Sequence, residues 1–315
     1  MKLALIHNPQ GGYNRRHGPV VPALARQAGI PCWELIRPGD AAAAMPAIAQ
    51  SRPDLLIVNG GDSTVDSVIA SLRQAANFET EPMLALLPGG TTNMIARDVG
   101  LDGPPERALR RLLSAIAAGT PGMRVDRAPL MVRRADGSAD LHGFFLGGGA
   151  LPCMLRKVQQ GLHARGFVGR GGETMALLQA TGRMLFGDIR RDPLLAPRLL
   201  GWTADRAAKE SEPVVLYFVT TLDRLVLGIN SSRPAPSLRF LALRHPYRNI
   251  MGSVASLLRR KPFAALGRNF VFRESRSLTL NLEGEAVLDG EMVPLASGPV
   301  TLGLELAKPF TFWRI

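Results

Sequence analysis

Acidic residues are scarce in this chain. Asp and Glu number 26 against 38 Lys and Arg, so the net charge is +12. Such a balance favours an anionic partner: a phosphorylated substrate, an anionic membrane surface or a nucleic acid. Aromatic residues are also few, 6% of 315 positions, and no DNA- or RNA-binding module is recognisable, which argues against nucleic acid. Only two cysteines occur, Cys32 and Cys153, far apart and outside any CxxC spacing. A disulfide framework and a cysteine zinc site are thereby excluded, and a reducing compartment is expected. His7, His142 and His245 show no metal-ligand spacing. No hydrophobic run approaches a membrane span, and the apolar run that opens the chain is too short for a signal sequence. The expected location is the cytoplasm, at most peripheral to a membrane.

With 46% hydrophobic residues, the chain can bury two moderate cores, and two domains are expected. Short apolar runs at Lys2 to His7, Cys32 to Ile36, Leu55 to Val58 and Met83 to Leu87 alternate with helical patterns at Val20 to Ala28, Ala41 to Gln50 and Thr64 to Ala76. Strand and helix in turn predict a parallel α/β sheet. After the helix Pro105 to Ala118 and the break Gly119 to Gly122, the pattern becomes β-rich: Met123 to Arg133, Leu141 to Leu146, Val214 to Thr220, Leu238 to Leu243, Leu278 to Leu282 and Val300 to Leu306. Two helical insertions, Pro152 to Met184 and Pro246 to Arg260, interrupt it. The expected fold is an N-terminal parallel α/β nucleotide-binding domain, residues 1–122, and a C-terminal β-rich domain with helical insertions, residues 123–315. The extreme C-terminus is allowed to pack back on the first domain.

The stretch Val58-Asn-Gly-Gly-Asp-Ser-Thr64 carries the chemistry. A non-alternating apolar strand is buried on both faces, and ligands collect at the carboxyl end of a parallel sheet. Gly60 and Gly61 allow close backbone approach, the N–H groups opening the next helix suit phosphate, and Ser63 and Thr64 can bond the same oxygens. Asp62 fits only with a metal ion between it and phosphate, or as a proton acceptor. Taken singly, such a loop reads as a capped turn. The next strand, however, ends in Pro88-Gly-Gly-Thr-Thr-Asn93, and the first in Asn8-Pro-Gln-Gly-Gly12. Neither a P-loop nor a Rossmann fingerprint is present.

The ordered set Asn8-Pro9, Gly60 to Thr64, Pro88 to Asn93 and Asp289-Gly-Glu291 resembles the diacylglycerol kinase catalytic-domain family, which includes bacterial lipid kinases, sphingosine kinases and ceramide kinases. The resemblance implies transfer of the γ-phosphoryl group of ATP, with Mg²⁺, to the hydroxyl of a neutral lipid such as diacylglycerol or ceramide. It implies nucleotide contacts from Asn8, Gly60, Gly61, Asp62, Ser63, Thr64, Gly90, Thr91 and Asn93. Asp289 would be the base, with Glu291 beside it, and Asp62 and Asp126 would be metal-associated. By itself, Asp-Gly also reads as a two-residue hairpin turn.

Departures accompany the match. Ser63 stands where a glycine is usual, Met94 replaces an acid of the metal network, and Leu35 occupies a place expected to carry a hydroxyl. Basic residues flank apolar positions around Arg156, Arg165, Arg170 and Arg183, and Arg259 to Lys261 closes the second insertion; both suit an anionic membrane surface, though a core-facing helix explains the second equally well. The expected partner is thus a lipid substrate at such a surface, with no nucleic acid and with a homodimer allowed. An NAD-kinase-like enzyme and a noncatalytic nucleotide- or membrane-binding relative stay as alternatives.

Overall fold

The computed structural model describes residues 1–75, 78–156, 196–205, 207–224, 236–246, 267–293, 295 and 297–315. They form two units, Met1–Arg127 with Pro309–Ile315, and Ala128–Lys308.

In the first unit, β1 (Leu3–His7), β2 (Cys32–Glu34), β3 (Leu55–Gly60) and β4 (Met83–Pro88) pair in parallel in the order β2-β1-β3-β4. The chain leaves β1 for β2 on one side and returns to β3 on the other, so the order reverses at the carboxyl ends of β1 and β3, where an open sheet leaves a crevice. Six helices connect the strands: α1 (Asn14–His17), α2 (Val20–Gln27), α3 (Asp40–Ser51), α4 (Asp62–Gln74), α5 (Met94–Val99) and α6 (Pro105–Ala117). Pro105 opens α6, where its missing N–H costs nothing. Leu5, Leu55, Ile57, Ala85 and Leu87 pack with Val21 and Leu24 of α2 and Leu109 and Leu112 of α6. Alternate residues Ile6, Leu56, Val58, Leu84 and Leu86 are equally buried and point the other way, toward the side left to α3 and α4, which pack on each other. Burial on both faces explains why these strands read as unbroken apolar runs.

The sheet is completed by two later strands, β17 (Phe310–Arg314) beside β4 and β5 (Met123–Arg127) beside β17. Every residue of β5 pairs with β17, so the first unit extends to Arg127, five residues past the expected boundary at 122. The β segment expected over Met123 to Arg133 is accordingly two strands in two sheets, β5 and β6 (Leu130–Arg134), parted at Ala128-Pro129, where proline cannot continue a ladder.

The second unit is one eleven-stranded sheet whose pairings are all antiparallel. Its further strands are β7 (Leu141–Gly143), β8 (Phe145–Gly149), β9 (Arg198–Ala204), β10 (Glu210–Thr220), β11 (Leu238–Arg244), β12 (Phe270–Ser275), β13 (Ser277–Glu283), β14 (Ala286–Leu288), β15 (Glu291–Val293) and β16 (Pro299–Leu306). In β13, Leu278, Leu280 and Leu282 alternate into a core with Trp202, Phe240 and Leu302. The segment expected over Leu141 to Leu146 is broken at Phe144, because its N–H and C=O leave the ladder for side chains of other segments. Residues 151–156 are helical; otherwise the expected insertion Pro152 to Met184, and the insertion Pro246 to Arg260 beyond its first residue, lie outside the described residues.

Candidate functional site

Three loops close over the carboxyl ends of β1, β3 and β4. The loop after β1 is clamped to the loop after β4 by backbone bonds from Tyr13 and Asn14 N–H to the Gly89 carbonyl, 3.0 and 3.2 Å. The loops after β3 and β4 touch backbone to backbone: a Cβ at Gly90 would lie 2.3 Å from the Gly61 Cα. Gly60 is tight for another reason, since a Cβ there would meet the Thr64 side chain at 2.5 Å. The Gly61 backbone is extended, φ −91° and ψ −175°, so close packing, not dihedral freedom, requires glycine there.

Polar side chains lock this arrangement. Asn8 Nδ2 donates to Thr64 Oγ1 at 2.8 Å. The Asn93 side-chain oxygen accepts Gly90 N–H at 2.8 Å while its nitrogen donates to the Pro88 and Gly90 carbonyls, closing the loop on itself. Asn93 sits at φ 51°, a left-handed conformation that asparagine tolerates. Asp62 Oδ2 accepts Met94 N–H and Oδ1 accepts Ile95 N–H, each at 2.9 Å. A carboxylate thus caps the first turn of α5 and ties the two glycine loops together. Burial raises its pKa, and the two backbone bonds partly offset the rise.

Beneath the loops lies a polar cluster that the motifs did not announce. His7 and Asn59, the last side chains of otherwise apolar strands, meet at 2.9 Å between Nδ1 and Nδ2. The amide nitrogen only donates, so Nδ1 accepts and the ring proton sits on Nε2. Burial lowers the His7 pKa, in keeping with a neutral ring. Asn14 Nδ2 donates to the Asn8 carbonyl at 2.8 Å and the Asn59 carbonyl at 3.3 Å. Asn59 Oδ1 is buried without a hydrogen-bond partner among the described residues. A polar residue closing each apolar run was the signal that could have found His7 and Asn59.

Of the residues expected to contact nucleotide, Asn8, Asp62, Thr64 and Asn93 hold the loops together, Gly60, Gly61 and Gly90 let them approach, and Ser63 and Thr91 present hydroxyls at exposed and half-buried positions. α4 begins at Asp62 and runs for 13 residues, so its first N–H groups lack partners within the helix and attract anions.

Asp126 lies on β5, exposed, and accepts the Thr311 hydroxyl at 2.7 Å. Among the described residues no three His, Cys, Asp or Glu side chains gather as a metal site, and both Asp62 oxygens are engaged by backbone N–H groups.

In the second unit, Asp289 and Gly290 form the two-residue turn between β14 and β15, with Leu288 opposite Glu291 and φ of 48° and 92°. Two successive left-handed residues make the mirror-image turn that Asp-Gly favours. Asp289 is nevertheless only 7% exposed: its side chain folds inward and Oδ2 accepts Phe144 N–H at 2.6 Å. Glu291 is exposed on β15. The Phe144 carbonyl accepts Thr220 Oγ1 at 2.8 Å, and fully buried Arg239 donates to the Thr221 and Leu222 carbonyls and to Asp223. Arg239 is a second feature that strand periodicity concealed.

A parallel sheet whose strand ends carry interlocked glycine loops at the switch between β1 and β3 defines the first unit as an α/β domain suited to polyphosphate. Residues 2–122 match the model of the diacylglycerol kinase catalytic domain. Over 71 residues the chain is 42% identical to a protein of Chromohalobacter salexigens named "Probable lipid kinase YegS-like", covering 22% of this chain and 21% of that one. Over 106 residues it is 35% identical to the diacylglycerol kinase of Bacillus subtilis, covering 32% and 34%. These alignments thus span about a fifth and a third of the relatives' own lengths. The second unit joins the comparison by fold alone: the crystal structure of a diacylglycerol kinase from Bacillus anthracis superposes with a TM-score of 0.59 at 19% identity, over 99% of this chain and 96% of that one. No described helix is long and apolar enough to cross a membrane.

Proposed function

We propose that this protein is an ATP-dependent kinase that phosphorylates the hydroxyl of a neutral lipid, with diacylglycerol and ceramide as the acceptor types. The observation that carries the reading is the interlocking of three family-type loops, Asn8 to Gly12, Gly60 to Thr64 and Pro88 to Asn93, at one sheet edge. Positioned phosphates and electrostatic stabilisation supply most of the catalysis in phosphoryl transfer. Here the first unit provides the phosphate cradle from loop and helix N–H groups, with the Ser63 and Thr91 hydroxyls. The acceptor's proton passes to the Asp289 carboxylate as its oxygen bonds the γ-phosphorus and the bond to the ADP oxygen breaks. Magnesium, where it takes part, enters with the nucleotide, and no step assigned to these residues passes through a protein-held metal.

The engagement of Asp62 and the presence of Met94 favour a second reading, a nucleotide-binding relative without turnover. A panel of diacylglycerol, ceramide, sphingoid base and NAD with labelled ATP separates the two, since the second reading expects ATP binding with transfer to none. Label on NAD alone would overturn the lipid assignment in favour of an NAD-kinase-like enzyme. Asp289→Asn should keep the turn and the Phe144 bond yet slow turnover by roughly a hundredfold to ten-thousandfold. Should both Asp289→Asn and Glu291→Gln retain wild-type rates, the late motif is only a hairpin.

A further inference from the structure

The helices on the two faces of the first unit carry opposite charge. α1, α2 and α6 hold six arginines, Arg15, Arg16, Arg26, Arg107, Arg110 and Arg111, against the single acid Glu106. α3 and α4 hold three aspartates against Arg73. The lone acid of the basic face is already engaged, accepting the Tyr13 hydroxyl at 3.1 Å, a bond that also joins α1 to the first turn of α6.

The arginines are ordered along α6. Its residues Pro105, Ala108, Leu109 and Leu112 are buried, while Arg107, Arg110 and Arg111 with Ser114 are exposed at i, i+3, i+4 and i+7, a single outward stripe. α2, which packs beside α6, exposes Val20, Ala23 and Arg26. Elsewhere in this unit arginines find carboxylates, as in Arg52 with Glu79, Arg73 with Glu81 and Arg127 with Asp98. Arg15, Arg16, Arg26, Arg107 and Arg110 have no ion-pair partner among the described residues.

We propose that this arginine face, centred on α6, docks the protein on an anionic lipid bilayer. Guanidinium groups match phosphate oxygens in a two-pronged geometry that lysine cannot reproduce, and basic clusters on helices bind the negative surface of a leaflet. The stripe holds no aromatic residue on which bases could stack, which sets a bilayer above a nucleic acid as its occupant. The choice of a bilayer also rests on the lipid-acceptor reading; the charge placement does not.

The test is sedimentation of the full chain with vesicles of phosphatidylcholine, with and without about a third phosphatidylglycerol, at low and high salt. No ATP or acceptor lipid is added, so the outcome is independent of catalysis. Wild type should bind only the anionic vesicles, and less at high salt. Arg107→Ala with Arg110→Ala, two exposed positions where alanine is a good helix former, should weaken partition about thirtyfold, whereas the paired Arg→Lys changes should retain most of it. Absence of wild-type binding, or equal binding by the alanine pair with an unchanged melting temperature, overturns the proposal. So does tighter, arginine-dependent binding to a duplex oligonucleotide, which would make the occupant a nucleic acid. Failure of lipid phosphorylation with vesicle binding intact would strike the kinase reading alone.

Discussion

His7 shows how much one side chain at a strand end can decide. Buried at 1% exposure and accepting a hydrogen from Asn59, it is favoured in its neutral form, and burial sets its pKa below the ordinary 6.5. Neutral His7 therefore contributes its full stability above about pH 6.5, and the contribution is lost as pH falls through that value toward the folded pKa. The stability difference between wild type and His7→Gln, measured by urea unfolding, should shrink steadily from pH 7.5 downward. A difference that does not vary with pH would mean that folding leaves the titration of the ring unshifted, against the burial seen here. The sequence displayed His7 and Asn59, but as lone polar residues they carried no spacing that joined them. Only the parallel register, His7 opposite Asn59, brings them together.

At the scale of elements, the glycine loops are one assembly and not three. Local reading placed each at the end of a strand, which is where it lies, because an apolar run followed by glycine and a helical pattern admits few other arrangements. The same reading gave Gly61 to phosphate approach; the structure adds the Gly90 backbone as its close neighbour. A Cβ at Gly90 would fall 2.3 Å from Gly61 Cα, and one at Gly61 would fall 3.2 Å from Gly90 Cα. Gly90→Ala should thus destabilise the protein by about 1–3 kcal/mol and Gly61→Ala by less, read from melting temperatures. Equal melting temperatures for both variants and wild type would show that the loops do not pack in this way. Asp62 gains a role by the same logic: its two bonds to Met94 and Ile95 make it a clasp between loops, a role invisible until the strands are neighbours.

On the scale of the molecule, the last strand belongs to the first unit. β17 separates β4 from β5 and buries Phe310 and Phe312 at 1% and 0% exposure, while Arg73 lies over the Phe310 ring at 3.9 Å. Burial of two phenylalanines contributes roughly 3–6 kcal/mol, a large part of an ordinary domain's net stability. Ending the chain after Lys308 should therefore abolish ATP binding by calorimetry and the cooperative melt of the first unit, although every glycine loop remains. Unaltered nucleotide affinity in the truncated protein would show that β17 is dispensable.

The sequence by itself determined the alternation of strand and helix, the change to β-rich structure and the glycine turns. Each follows from local periodicity or from backbone freedom within a few residues. The inward turn of Asp289 against Phe144, the burial of Arg239 and the return of Phe310 to β4 were decided by tertiary structure, since each joins segments more than fifteen residues apart. The boundary at Arg127 was decided in the same way. Met123 to Arg133 reads as one strand until Phe310–Arg314 pairs with its first half and β16 with its second. Local preference permits the extended backbone in both halves, and only the available partners divide it.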